Sequence, residues 1–395
     1  MRNLTHAASL VLAAAALAAC ADQPTTPTAR AGGPSLAAAA PCAASPTAVA
    51  TAEAGLRAAV AAAQPGDVIA IRGTIELAQS VVLPTPGVTL TCAEPGAGLA
   101  LGEGNTGVLL ELEAGQITVS GLRLDAEYAF GALVAFNVFQ QDFSGIRVIG
   151  NDVVCGYTLC VFFVGTRGTQ VTDNRFAGDS TNTGIQFQSP GRLADGTPIS
   201  PVDDVVIARN VIETDDSYPA GIYGAIRVRD GSNATITHNQ VGAGWTNGIA
   251  LTNVYDSRVD HNRIDGALYY GIDVPQIVAR PIALRGVSFT GNHITNSGRS
   301  AIWPARACYN VFTGNNVQDN DRGVIFLAST GGNVWRGNPG EVEDRGAFDC
   351  DGDGDIDPNQ ISGARASTST ASAPAFSVSA VPAQSASNGR YPALQ

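Results

Sequence analysis

Carboxylates are densest near the C-terminal end, where Asp349-Cys350-Asp351-Gly352-Asp353-Gly354-Asp355-Ile356-Asp357-Pro358-Asn359-Gln360 sets five Asp at alternate positions. Acids this close repel one another unless a cation lies among them. The spacing fits a twelve-position calcium loop. Asp349, Asp351 and Asp353 would give carboxylate oxygens and Gly354 the sharp turn. Asp355 would give its carbonyl, and Asp357 a direct or water-bridged oxygen. Gln360 stands at the last position, where it cannot bind bidentately as Glu would, and no helical pattern flanks the loop. The expectation is a structural Ca2+ site; the alternative is a solvated acidic turn.

A second set is spread along the chain. Gly184-Ile185-Gln186-Phe187, Ala225-Ile226-Arg227-Val228, Gly248-Ile249-Ala250-Leu251, Gly271-Ile272-Asp273-Val274 and Gly323-Val324-Ile325-Phe326 are variants of one short strand. Residues between the apolar ones point outward on a strand. Stacked, they form a column: Gln186 and Gln188, Arg227 and Arg229, Ala250 and Thr252, Asp273, then Trp303. Amides and carboxylates suit sugar hydroxyls, an indole suits a pyranose face, and a guanidinium suits a uronate carboxylate. As a polysaccharide site, Asp273 is the candidate acid or base and Arg227 or Arg229 neutralises a carboxylate. Gln186, Gln188 and Trp303, with Asp215 and Asp216 from an insertion, are the candidate binding residues. The other reading is the ordinary polar outer face that any such stack of strands requires.

A third set is Asp173, Arg209, His238 and His261, each one residue before an Asn. Two His in successive repeats could shuttle protons. As turn residues bonded to neighbours they would need no such role.

What must position these side chains is a repeat. Asn151, Asn174, Asn210, Asn239, Asn262, Asn292, Asn315 and Asn338 each follow an alternating apolar phrase, at spacings of 23, 36, 29, 23, 30, 23 and 23 residues. A fixed period marks a repeat architecture. About 23 residues with several short strands and no helix is one coil of a parallel β-helix. Asn suits the bend through its tolerance of left-handed backbone, and its amide can bond to the Asn above and below. Gly121 and Cys92 occupy the Asn slot upstream. The expected fold is all-β, a solenoid of about eleven coils and about 50 Å length at the spacing between strands. Ala52 to Ala63, with Leu56 and Val60 four apart, reads as a short amphipathic helix capping the first coil.

This pattern, from about Thr51 to Gly340, resembles the right-handed parallel β-helix superfamily of pectate lyases and polygalacturonases. The acidic run resembles isolated calcium loops of the dockerin and thrombospondin kind. The first resemblance implies a fold, not a reaction. Polygalacturonase Gly-His-Gly and Arg-Ile-Lys motifs and the epimerase Asp-Pro-His-Asp signature are absent, and Arg280-Pro281-Ile282-Ala283-Leu284-Arg285 only half matches the pectate lyase run. All 23 basic residues are Arg, which excludes the Lys–Arg pair of alginate lyases of this fold. The alternative function is a non-catalytic structural or adhesive surface β-helix with a calcium-stabilised C-terminal end.

Leu17-Ala18-Ala19-Cys20 follows a short apolar run and resembles a bacterial lipobox. The resemblance implies a signal peptide at 1–19, lipid on Cys20 and an outer-membrane lipoprotein facing the periplasm or the cell surface. Residues 20–41 read as a tether, 42–340 as the β-helix, 341–363 as the calcium-loop segment and 364–395 as a disordered tail. Six further Cys in an oxidising compartment allow fifteen pairings. Proximity favours Cys155–Cys160, with Cys42–Cys92 pinning the N-terminal cap and Cys308–Cys350 the other end. Net charge of −12 argues against nucleic acid as a partner.

Overall fold

The computed structural model describes residues 40–137, 142–178, 183–191, 198–199, 201–214, 224–274, 284–326, 329–346, 348–363 and 365–366. Cys20, Asp215, Asp216, Arg280 and the 367–395 stretch lie outside them.

Three short strands per turn wind into three parallel sheets. The first sheet takes the strand that leads into each Asn and stacks thirteen strands, from Ala48–Ala50 to Gln360–Ser362. The second takes the strand after each Asn and stacks nine, from Thr74–Leu77 to His293–Thr295. The third takes the Gly-Ile strand and holds fifteen. Among the described residues the second sheet ends at His293–Thr295, so nine turns carry three strands and the last ones carry two. The solenoid has about ten turns, in keeping with the expectation of about eleven.

The repeat period becomes vertical register. Val148 lies on Val171, Val171 on Ile207, Ile207 on Ile236, and Ile236 on Val259. Like residues thus stack inside the coil. Phe289 and Phe312 lie one turn apart with centroids 4.6 Å apart and planes within 3°, close to the spacing of paired strands. Inward Ile, Val, Leu and Phe form one continuous core along the rod.

The eight repeat Asn turn inward and are at most 2% exposed. Each of the first seven donates from Nδ2 to the Oδ1 of the next, at 2.8–3.0 Å, and Asn338 ends the ladder. The same Oδ1 atoms also accept the preceding rung's backbone N–H. The amide ladder expected from the sequence is present. Its backbone geometry differs from expectation, however. The left-handed residue is the one before the Asn: Asp173, Arg209, His238 and His261 have φ of 54–61°, and Gly150, Gly291, Gly314 and Gly337 hold the same corner. The Asn stays at negative φ because its amide must point inward to reach the next rung. Cys92 and Gly121 align with Gly150, not with Asn151, since Thr91 pairs with Ser120 and Ser120 with Ile149. Leu122 holds the Asn slot, and its N–H donates to Asn151 Oδ1 at 3.1 Å.

The cap is the helix Glu53–Ala62, which buries Leu56 and Val60 on the core end. Glu53 and Arg57 form an ion pair one turn apart at 2.6 Å. Glu53 Oε2 accepts the Ala78 N–H at 3.1 Å, and Arg57 donates to the carbonyls of Gln79 and Ser80, so the cap's polar side ties back to the coil. Among the described residues no helix is long and apolar enough to cross a membrane. All three expected disulfides are formed: Cys42–Cys92, Cys155–Cys160 and Cys308–Cys350.

Candidate functional site

The third sheet builds the candidate column as its sequence pattern implies. Gln186 pairs with Arg227 and Gln188 with Arg229, in strands Thr183–Gln188 and Gly224–Ser232. Arg227 pairs with Ala250 of Asn247–Tyr255, Ala250 with Asp273 of Tyr270–Val274, and Asp273 with Trp303 of Ser300–Pro304. Arg227 and Trp303 are three turns apart, about 14 Å at the strand spacing. That is room for about three sugar rings laid along the axis.

The column is not uniformly exposed. Gln186, Gln188, Arg227, Arg229 and Trp303 are half-buried, while Ala250, Thr252 and Asp273 are buried. Gln186 donates to Gln188 at 2.9 Å, which orients both amides. Arg229 lies 3.3 Å from Asp230. Near the Arg end, Asp203 accepts from Ser232 Oγ at 2.9 Å and Asn233 Nδ2 at 2.8 Å, while Asp215 and Asp216 lie outside the described residues.

Asp273 is the chemically distinctive member. Its side chain is 9% exposed and accepts from Asn247 Nδ2 at 3.1 Å. Burial pushes its carboxyl up to about 7, against the opposing pull of the Arg227 charge. A carboxyl with that value exchanges its proton near neutral pH, which is what a general acid or base needs. Its neighbours in the column are Ala250 and Trp303, neither of them a second carboxylate.

Two residues next to Asp273 were not read from the sequence. Tyr270 stacks on Trp303 with centroids 5.2 Å apart and an 18° interplanar angle, so the indole stands in a two-ring platform. Asn247 orients Asp273, and its Oδ1 is buried without a partner. Both sit immediately before the Gly-Ile of their strands, and Asn247 pairs with Tyr270. The residue preceding each Gly-Ile was the available signal.

The acidic loop is fastened to the last turns at three points. Cys350 is bonded to Cys308. Asp357 Oδ2 accepts from Cys350 N–H at 2.8 Å and Tyr309 O–H at 2.9 Å. Asn359 Oδ1 accepts from Asn333 Nδ2 at 2.9 Å, ending a second amide ladder that starts at Asn310. Within the loop, Asp349 accepts the N–H groups of Gly352 and Gly354 at 2.6 and 2.9 Å. These bonds hold its carboxyl below the usual range. One oxygen from each of Asp349, Asp351 and Asp353 lies within 4.8 Å of the others. Asp355 donates its N–H to Asp353, and Gln360 opens the strand Gln360–Ser362 with an exposed side chain.

In the third set, Arg209 grips Asp173 through two bonds of 2.7 and 2.6 Å. His238 and His261 stack at 5.0 Å and 12°.

The winding, the three parallel sheets and the inner ladder define a right-handed parallel β-helix. Residues 159–339 match the family model described as right handed beta helix region. Among solved structures, an alginate lyase from Paenibacillus sp. str. FPU-7 is similar at 13% identity and a TM-score of 0.50, over 79% of this chain and 97% of that one. A GH136 lacto-N-biosidase from Eubacterium ramulus is similar at 12% identity and a TM-score of 0.53. That match covers 77% of this chain but 62% of the other, less than two thirds of its length. No curated protein matches the chain in sequence. At these identities the likeness is one of fold.

Proposed function

We propose that the protein binds a polysaccharide, preferentially one bearing uronate carboxylates, along the outer face of the third sheet. The observation that carries this is the continuous register from Gln186 through Arg227 and Asp273 to Trp303, ending on the Tyr270–Trp303 ring pair. Stacked rings take a pyranose face, and the Arg end takes a carboxylate. The two similar structures are described as an alginate lyase and a lacto-N-biosidase, both acting on carbohydrate.

One observation favours turnover as well as binding. Asp273 is buried, oriented by Asn247 and titrates near neutrality, as a catalytic acid or base should. The absence of an adjacent carboxylate in the column disfavours the paired-acid hydrolytic arrangement. A single acid or base opposite an Arg suits proton abstraction beside a neutralised carboxylate.

Screening the purified protein against uronate and neutral glycans tests both readings. Binding to uronate oligomers that is lost in Trp303→Ala supports the face. Turnover lost in Asp273→Asn, with binding retained, supports the catalytic role. Binding without turnover ends the catalytic reading and leaves recognition.

On the same reading, Ca2+ occupies the acidic loop. Asp349, Asp351 and Asp353 would hold it, with backbone carbonyl and water completing the oxygen shell. Their convergent oxygens fit a hard cation. One oxygen of Asp357 is engaged with Cys350 and Tyr309, leaving the other for a direct or bridged contact. The metal's part is to keep the last turns closed. The lipobox-like Leu17 to Cys20, together with three disulfides, supports lipid anchoring outside the cytoplasm.

A further inference from the structure

We infer that His238, His261 and Asp260 form a second metal site, selective for a borderline divalent ion such as Zn2+ or Cu2+ and separate from the acidic loop. One nitrogen of each imidazole and one carboxylate oxygen lie within 4.8 Å of one another. The two His occupy the left-handed corner of successive turns, at φ of 55° and 54°, so the backbone delivers both rings to the same edge. The rings already overlap at 5.0 Å and 12°. Imidazole and carboxylate are ligands for Zn2+ at about 2.0–2.2 Å, which sets ligand-to-ligand edges of about 3.3 Å. Closing from 4.8 Å takes small rotations, and the His261 side chain is 53% exposed.

Asp260 is the feature that points to a cation. It is 5% exposed and closes the strand Arg258–Asp260, one residue before the His261 corner. Its Oδ2 lies 2.9 Å from His261 Nδ1. Its Oδ1 is ion-paired with Arg258 Nε at 2.9 Å, which leaves Oδ2 as the oxygen beside the imidazole. A carboxylate held against a His ring either ligates with it or fixes its tautomer for the metal, and both are recurrent in such sites. Thr237 Oγ1 is 2.7 Å from His238 Nδ1 and gives the other ring the same kind of orienting partner. Along the corner, the position above His238 is Arg209, which is tied to Asp173. The position below His261 is Gly291, where any Cβ would come within 3.0 Å of His261 Nε2. Gly291 thus keeps that edge of the ring open. Two N and one O favour Zn2+ or Cu2+ over Ca2+, whereas the all-oxygen loop has the opposite preference.

The test is Zn2+ titration by calorimetry of untagged protein presaturated with Ca2+, in the wild type, His238→Asn, His261→Asn and the double variant. Asn tolerates the left-handed backbone, so the fold is kept, and circular dichroism checks this. The expected result is one Zn2+ per chain in the wild type, bound at least tenfold more weakly in each single variant. Cu2+ should add a nitrogen-ligand signature in its electron paramagnetic resonance spectrum that the double variant lacks. Equal affinity across all four proteins, loss in only one single variant, or no binding by the wild type overturns the assignment.

Discussion

The inner Asn ladder and the outer column from Gln186 to Trp303 are built on the same stacked turns, yet their residues obey opposite rules. Inside, each side chain is the hydrogen-bonding partner of its copy one turn on, so every rung must be the same residue. Outside, the neighbours are Gln, Arg, Ala, Asp and Trp in turn. Identity inside fixes the register; variation outside is free to serve a ligand. In this fold, the departures from the repeat are where function is to be sought.

Breaking a rung should have the largest effect. Asn239→Ala strips the acceptor from two Asn210 donors and the donor from Ile207 O and Asn262 Oδ1. Orphaned buried groups cost about 1–3 kcal/mol each, so a total of about 5 kcal/mol should appear in the denaturant midpoint. A loss as small as that of an outer substitution would erase the contrast.

Asp273 comes next and brings a pH signature. Its folded value is raised to about 7, so its contribution to stability is complete below the unfolded value near 4 and is lost as pH rises through 7. Relative to wild type, Asp273→Asn should gain about 4 kcal/mol between pH 4 and pH 8, since each tenfold change in proton affinity is worth about 1.4 kcal/mol. A difference that stays flat across that range would show that Asp273 is not titrating as a buried acid.

The acidic loop sharpens the comparison from the end of the rod. Saturating Ca2+ at about 100 times its dissociation constant should stabilise the chain by about 3 kcal/mol. Asp351→Asn should abolish that gain in thermal unfolding and leave the ladder's contribution unchanged. The smallest effect belongs to Gln188→Ala, whose half-buried amide accepts from Gln186. Its stability should change by less than about 0.5 kcal/mol.

How much of this the sequence revealed follows the same division. The ladder was legible because identical Asn at near-constant spacing advertise themselves. The outward column was legible because a strand alternates. The left-handed corner was misplaced by one residue: Asn is the usual occupant of such a bend, but here the ladder requires its amide inside, and Asp173, Arg209, His238 and His261 take the strained position. Tyr270 and Asn247 escaped notice because they precede the repeated Gly-Ile, outside the alternating phrase. The burial of Asp273 was not legible at all, since an outward position on a strand does not say what covers it.

The central claim, that the outer column is the binding face, is tested most directly by calorimetry of a uronate oligomer against Arg227→Gln and Arg263→Gln. Arg263 is exposed on the second sheet, away from the column. The account predicts at least tenfold weaker binding for Arg227→Gln and wild-type affinity for Arg263→Gln. Equal losses in both, or a loss in Arg263→Gln alone, would mean that charge anywhere on the rod, and not the column, attracts the glycan.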